Sequence, residues 1–371
     1  DLARNAGLPD YRAYRWQQLN RFDYTPDDCK GFHRAVEEVV VPARTRLLEK
    51  RRRQMGVDAL RPWDLRVDPS GKPPLRPFAN IEELTRKTSA IFHHVDPDFG
   101  AYFDIMVAED LLDLETRKNK ATSGYSLPFN ATHLPFIFLS MAGTHGDVVG
   151  LLHEGGHAFH TFEASRLPYF QQRDTEAIAI EFAEVASTAM ELLASPYLEE
   201  SKGGFYTRDD AARALEHHLA GLIEGWCAIA TIDAFQHWIY ENPEQAKDGD
   251  ALDAQYVALT QRFLPGVDYT GLVAERSNEW RRIPHPFEVP FYFVEYALAE
   301  MGAVQIWAGA RRDQREAVRR YREALKLGHT VPVPQLFETA GARLAFDAGT
   351  LRELVDLLEE ALDDLEARQT T

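Results

Sequence analysis

His153, Glu154 and His157 stand in the pattern H-E-x-x-H, inside the stretch L-L-H-E-G-G-H-A-F-H-T-F-E from Leu151 to Glu163. On a helix, residues four apart share one face, one turn above the other. Two imidazoles at that spacing can grip one zinc ion, which in catalytic sites takes three protein ligands and keeps one position open for water. Glu154 is turned about 100° from His153, to the edge of that site. A carboxylate there can take a proton from the attacking water and pass it on. The chemistry expected of the stretch is zinc-dependent hydrolysis, of peptide bonds above all. Three fixed positions also recur by chance on solvated helix faces. Gly155 and Gly156 weigh against that, because each costs a helix about 1 kcal/mol relative to Ala. Such a pair is tolerated where backbone must come close to a neighbour or a substrate.

A third ligand is needed. Ten residues after His153, Glu163 stands where a longer zinc pattern, H-E-x-x-H-x-x-G-x-x-H, has its last His. His160 occupies the place of that pattern's glycine, so the sharp turn is not expected. His160 is expected instead to pack, or to sit behind the ligands. A glutamate from the following helix is the better choice, among Glu176, Glu181, Glu184 and Glu191. Glu181 and Glu184 are three apart and lie near each other on one face. Residue chemistry alone leaves these two even.

The elements that must position these groups are mostly helical. Thr25-Pro26-Asp27-Asp28 starts a helix expected to run to about Met55, kinked at Pro42. Arg61–Pro77 is a loop. Asn80 caps the next helix, and Asp96 one expected to continue to about Glu115. Arg117–Ala131 breaks the helical pattern. Leu134–Met141, L-P-F-I-F-L-S-M, is the best strand candidate, and Pro135 argues for an edge strand or a strand start; on an edge strand an extended peptide could pair. Thr144 opens the His153 helix with a capping box. Further helices are expected over Asp174–Leu193, from Thr207 to Tyr240, and over Asp250–Leu264, Pro290–Trp307, Arg312–Leu327 and Thr350–Ala367, the last with a capping box at Thr350.

Composition excludes several function classes. The 371 residues carry a formal net charge of −17, which disfavours nucleic acid and anionic membranes as partners. The two cysteines, Cys29 and Cys227, are far apart and in no metal-like spacing. They exclude a disulfide framework and suit a reducing compartment, so a cytoplasmic location is expected. No apolar run is long enough to span a membrane, and no signal peptide is visible. The chain opens at Asp1 without an initiator Met, which points to a trimmed or partial polypeptide.

These residues resemble the oligopeptidases that include thimet oligopeptidase and oligoendopeptidase F. The signature H-E-x-G-H-A-x-H, followed by E-x-x-S, is similar to His153–His160 followed by Glu184-Val185-Ala186-Ser187. The resemblance implies Glu184 as the third ligand, with Glu181 behind it. Arg117-Lys118-Asn119-Lys120 leading to Gly124-Tyr125 resembles R-K-G-K…G-G-Y, with Asn119 in place of Gly. Pro135–Phe138 followed by Gly143-Thr144, Ile232–Gln236, and the late element from His285 to Tyr296 also resemble family motifs. The similarity extends from about Tyr11 to Trp307. In that family a His and one or two Tyr contact the substrate carbonyl, which here implies His285, Tyr292 and Tyr296. Donors of that kind stabilise a tetrahedral oxyanion. Tyr292 and Tyr296, four apart on an apolar helix, also suit a core.

The resemblance implies a mainly α, zincin-like helical metallopeptidase with a short β element beside the active-site helix and a deep substrate channel. It implies a single catalytic domain over 1–371, without the further N-terminal helical region that relatives carry. The expected function is a zinc-dependent endopeptidase, one Zn²⁺ per chain, hydrolysing internal bonds of short unfolded peptides. The alternatives are a carboxypeptidase or dipeptidase on a similar fold, a catalytically silent peptide-binding module, and a structural helical scaffold. Nothing in the sequence fixes an oligomeric state.

Overall fold

Thr25 caps the first long helix as its residues require. Its backbone N–H donates to the Asp28 carboxylate at 2.8 Å, and Asp28 N–H donates to the Thr25 hydroxyl at 3.3 Å. The helix Pro26–Ala35 passes into a π-helical turn, Val36–Val40, and then into Val41–Met55. Pro42 has no N–H to give the preceding turn, and the widened turn in front of it absorbs the loss. The kink expected at Pro42 therefore takes the form of this π segment. Gly56, at φ 67°, closes the run in the left-handed conformation.

The computed structural model describes residues 1–174 and 179–369. It divides into two compact units. The first comprises Asp1–Pro73, Leu219–Ala297 and Ala345–Leu362. Its described elements are helical, and its core includes Phe32, Trp226, Phe235, Phe263 and Phe291. The second comprises Pro74–His218, Leu298–Leu344 and Asp363–Thr371. It contains a small sheet, and Phe92, Phe99, Phe103, Phe159, Phe182 and Phe337 in its core.

The sheet has three strands, β1 (Leu112–Glu115), β2 (Tyr125–Phe129) and β3 (Leu134–Met141), in the order β1-β3-β2. β3 pairs parallel with β1 and antiparallel with β2. Leu134–Met141 is thus the central strand and not an edge. Pro135 is tolerated there because its nitrogen lies on the same side as Ile137 N–H, which donates to Leu111 O, and pairing with β1 begins only at Ile137, so no ladder bond is lost. β2, inside the stretch expected to be irregular, is an edge strand. β1 was hidden in a predicted helix. That helix, Pro97–Ala108, stops early because Asp110 turns left-handed at φ 54° and Leu111 N–H reaches back to Met106 O at 2.9 Å.

The loop from β1 to β2 is tied by Lys120. Its buried ammonium donates to the carbonyls of Asp113 and Glu115, each at 2.9 Å, and of Leu139 at 2.5 Å. Asn119 sits at φ 68°, a conformation glycine or asparagine adopts with least strain. The helix His145–Ala164 packs on β3 and on the helix Ile180–Ala194. At the far end of the chain the last helix begins at Ala348. Its cap is Asp347, which accepts from Thr350 N–H at 2.9 Å, and not Thr350 itself.

Candidate metal centre

The helix His145–Ala164 begins at a full capping box. Asp147 accepts from Thr144 N–H at 2.8 Å and also from Ala142 N–H at 2.8 Å, which fixes the helix start to the end of β3. Two turns in, the His153 and His157 rings stand 5.0 Å apart, centre to centre. The neighbouring helix Ile180–Ala194 brings Glu184 over them. Glu184 Oε2 is 3.4 Å from His153 Nε2 and 3.6 Å from His157 Nε2. One donor atom from each residue lies within 4.8 Å of the others. A tetrahedral ion with bonds of 2.0–2.2 Å separates its ligands by about 3.4 Å. The donor set therefore fits zinc in residue type, number and spacing.

Helix approach this close needs the paired glycines. A Cβ on Gly156 would lie 2.4 Å from Ala186 O and 2.6 Å from Ser187 Cα, backbone atoms of the Glu184 helix. A Cβ on Gly155 would lie 2.5 Å from the Phe92 ring. The expected close approach is thus to neighbouring elements of the fold. Ser187, the last residue of the E-x-x-S motif, places its hydroxyl 3.2 Å from Glu184 Oε2 and 3.0 Å from Glu184 O.

Behind His153 stands Glu191. Its Oε1 lies 2.7 Å from His153 Nδ1, which leaves Nε2 for a metal. Glu191 is seven residues after Glu184, so the two occupy one stripe of the helix, offset by only about 20°. That spacing was the available signal for its orienting role. Glu191 Oε2 lies 3.4 Å from His218 Nε2.

Charge in the site is strongly coupled. Burial alone would push both imidazoles down. The Glu184 and Glu191 carboxylates outweigh it and hold His153 well above its usual value, and Glu184 raises His157. Burial works to raise Glu184, but the two imidazoles hold it well below the ordinary carboxylate range. A divalent cation would supply the positive charge that the carboxylates otherwise draw from imidazole protons. Glu154 is only 7% exposed. Burial pushes its pKa up, and the two imidazoles pull it back in part. Its Oε2 has no hydrogen-bond partner among the described residues. Gly124, just before β2, lies beside it: a Cβ there would sit 2.4 Å from Leu139 Cδ2 and 3.4 Å from Glu154 Oε1.

The other glutamates of the sequence argument lie elsewhere. Glu163 is engaged by Arg322 and by the Tyr102 hydroxyl at 3.3 Å. Glu181 is buried outside the donor cluster, where its charge acts on His329. Glu176 lies outside the described residues. His160 is buried edge-on to Phe182, with neither ring nitrogen bonded to a described residue.

His285, Tyr292 and Tyr296 form a second cluster, in the first unit. His285 Nε2 is 3.3 Å from the Tyr296 hydroxyl, and the two tyrosine rings are 5.3 Å apart. All three are half-buried, so they are not simply core. Phe291, next to Tyr292, is held at φ 67°. Its N–H donates to Gln236 Oε1 and its carbonyl accepts from Arg21, each at 2.6 Å. Arg21 is also paired with Glu295, both side chains being 1% exposed.

The sequence profile of peptidase family M3 matches residues 1–356. Oligopeptidase PepF of Bacillus subtilis is 27% identical over 267 residues, covering 69% of this chain and 37% of its own length. The chromosomal oligoendopeptidase F of Lactococcus lactis is 26% identical over 306 residues, covering 77% of this chain and 46% of its own length. Among solved structures, PZ peptidase A in complex with an inhibitor superposes with a TM-score of 0.90 at 28% identity. That match covers 98% of this chain and 63% of PZ peptidase A. The chain thus spans less than half the length of the two curated relatives.

Proposed function

Since this chain belongs to peptidase family M3, we propose that it is a zinc-dependent endopeptidase hydrolysing internal bonds of short, unfolded oligopeptides. The observation that carries this reading is the His153, His157 and Glu184 donor set at zinc spacing, with Glu154 Oε2 beside it unpartnered among the described residues. His153, His157 and Glu184 would hold one zinc ion per chain, and Glu191 would keep His153 in the ligating tautomer. Bound there, zinc supplies a Lewis acid for the scissile carbonyl and for water. Glu154 takes the proton of the attacking water and delivers it to the leaving amine. His285, Tyr292 and Tyr296 are assigned as donors to the developing oxyanion. The outer edge of β2, which pairs only with β3 among the described residues, would take an extended peptide as a further strand. Residues 1–371 are read as one catalytic region, and two cysteines without a disulfide suit a reducing, cytoplasmic setting.

Peptides blocked at both ends test the endopeptidase reading. Mass spectrometry of the products is expected to show two internal fragments. Cleavage confined to peptides with a free C-terminus would move the assignment to a carboxypeptidase.

A further inference from the structure

The first unit buries a second set of metal-ligating residues, remote in sequence from the H-E-x-x-H stretch. Cys29 and His33 are four apart on the helix Pro26–Ala35, and Asp233 and His237 are four apart on Arg208–Glu241. Each helix therefore presents two donors from one face. The packing brings the faces together. One ligand atom each from Cys29, Asp233 and His237 lies within 4.8 Å of the other two. His33 Nε2 is 2.7 Å from Asp233 Oδ2, and His237 Nε2 is 3.5 Å from the same oxygen. Cys29 and Asp233 are 0% exposed, His237 2% and His33 4%.

Such a cluster is costly as it stands. Asp233 Oδ1 and His237 Nδ1 are buried with no hydrogen-bond partner among the described residues, and His237 Nε2 has only its 3.5 Å approach to Asp233 Oδ2. Buried polar atoms left without partners are unfavourable. A divalent cation on one thiolate and one carboxylate leaves the cluster neutral and gives the orphaned atoms a partner. Sulfur and imidazole donors select zinc over magnesium or calcium.

We propose that this cluster is a second, structural zinc site, with Cys29, Asp233 and His237 as ligands and His33 orienting the Asp233 carboxylate. A spread of 4.8 Å closes onto one ion by side-chain rotation. Binding displaces the Cys29 thiol proton and ties the two helices together. The site lies among core side chains, so the ion would enter as the chain folds. This inference is independent of the peptidase reading, since no residue is shared.

Cobalt(II) distinguishes the two sites, because only a thiolate ligand gives an intense near-ultraviolet charge-transfer band and the His153 site contains no sulfur. The full chain produced in cobalt-supplemented medium is expected to hold two metal equivalents and to show that band. Cys29→Ser should abolish the band and lower the content to one equivalent, while Cys227→Ser should leave both unchanged. Folded wild-type chain holding a single equivalent without a band would overturn the proposal. So would a band that vanishes with Cys227→Ser and persists with Cys29→Ser. The wild-type stoichiometry and spectrum decide the matter even where Cys29→Ser does not fold. Loss of peptide cleavage with the band intact would count against the catalytic assignment alone.

Discussion

Glu154 and Glu184 are both buried glutamates at one site, with different proposed roles. Glu154→Gln keeps the shape and removes the base, so turnover should fall by about 10²–10⁴-fold while metal content stays constant. Glu184→Ala should lower zinc content, and Glu181→Ala should do so much less. The reverse order, read by metal analysis, would transfer the ligand role to Glu181. Glu191→Ala frees the His153 ring and should weaken metal binding by about 10–100-fold. His160 gives a pH test. Burial pushes its imidazole down to about 3, against an ordinary 6.5. The unfolded chain therefore binds a proton that the folded chain refuses, and stability is lost as pH falls from 6.5 towards 3. At about pH 5 the cost is roughly 2 kcal/mol, and urea unfolding of His160→Leu should show a flatter pH dependence than wild type. At this scale the sequence was most informative for His153, Glu154 and His157, because four-residue spacing forces a shared face. It could not separate Glu181 from Glu184, since both lie near one face of a buried helix and only its rotation against the His153 helix decides.

The glycine pair is the point where one element depends on another. Gly156→Ala drives a methyl into the backbone of the Glu184 helix, which cannot move without shifting a ligand. It should destabilise by about 1–3 kcal/mol in denaturant unfolding and also lower metal content. Gly155→Ala meets a ring, Phe92, and should affect stability more than metal. Most helices were legible from their caps, Thr25, Asn80, Asp96, Thr144 and Thr207 among them. The sheet was legible only in β3. β1 is four residues long and follows a helix with no Gly or Pro between them, so local pattern could not show the stop at Asp110. β2 lies among Ser, Gly and Pro residues that look like a loop until β3 is there to pair with them. The edge expectation failed because β1 could not be seen in the sequence, whereas Pro135 does stand at the start of β3, ahead of the residues that pair with β1.

At the scale of the whole molecule, the two units each enclose residues to which a task is assigned. The first holds the His285, Tyr292 and Tyr296 cluster, with Phe291 pinned left-handed by Gln236 and Arg21. Breaking the buried Arg21–Glu295 pair by Arg21→Ala should cost about 3–5 kcal/mol. The second unit holds His153, His157, Glu184 and Glu154. No described helix is long and apolar enough to cross a membrane. The acidic surface was plain from composition, whereas the division into units was not, because both are built from segments far apart in the chain.

Hydrolysis by this chain is proposed to run through a metal held by His153, His157 and Glu184. The most direct measurement pairs metal content with cleavage of a short, internally quenched peptide, before chelation, after it, and after zinc is restored, in wild type and in Glu184→Ala. Internal cleavage is expected to disappear with the metal and return with zinc in wild type, whereas zinc at the same concentration should not restore it in Glu184→Ala. Cleavage that survives removal of all metal, or that is undiminished in Glu184→Ala, would contradict that proposal.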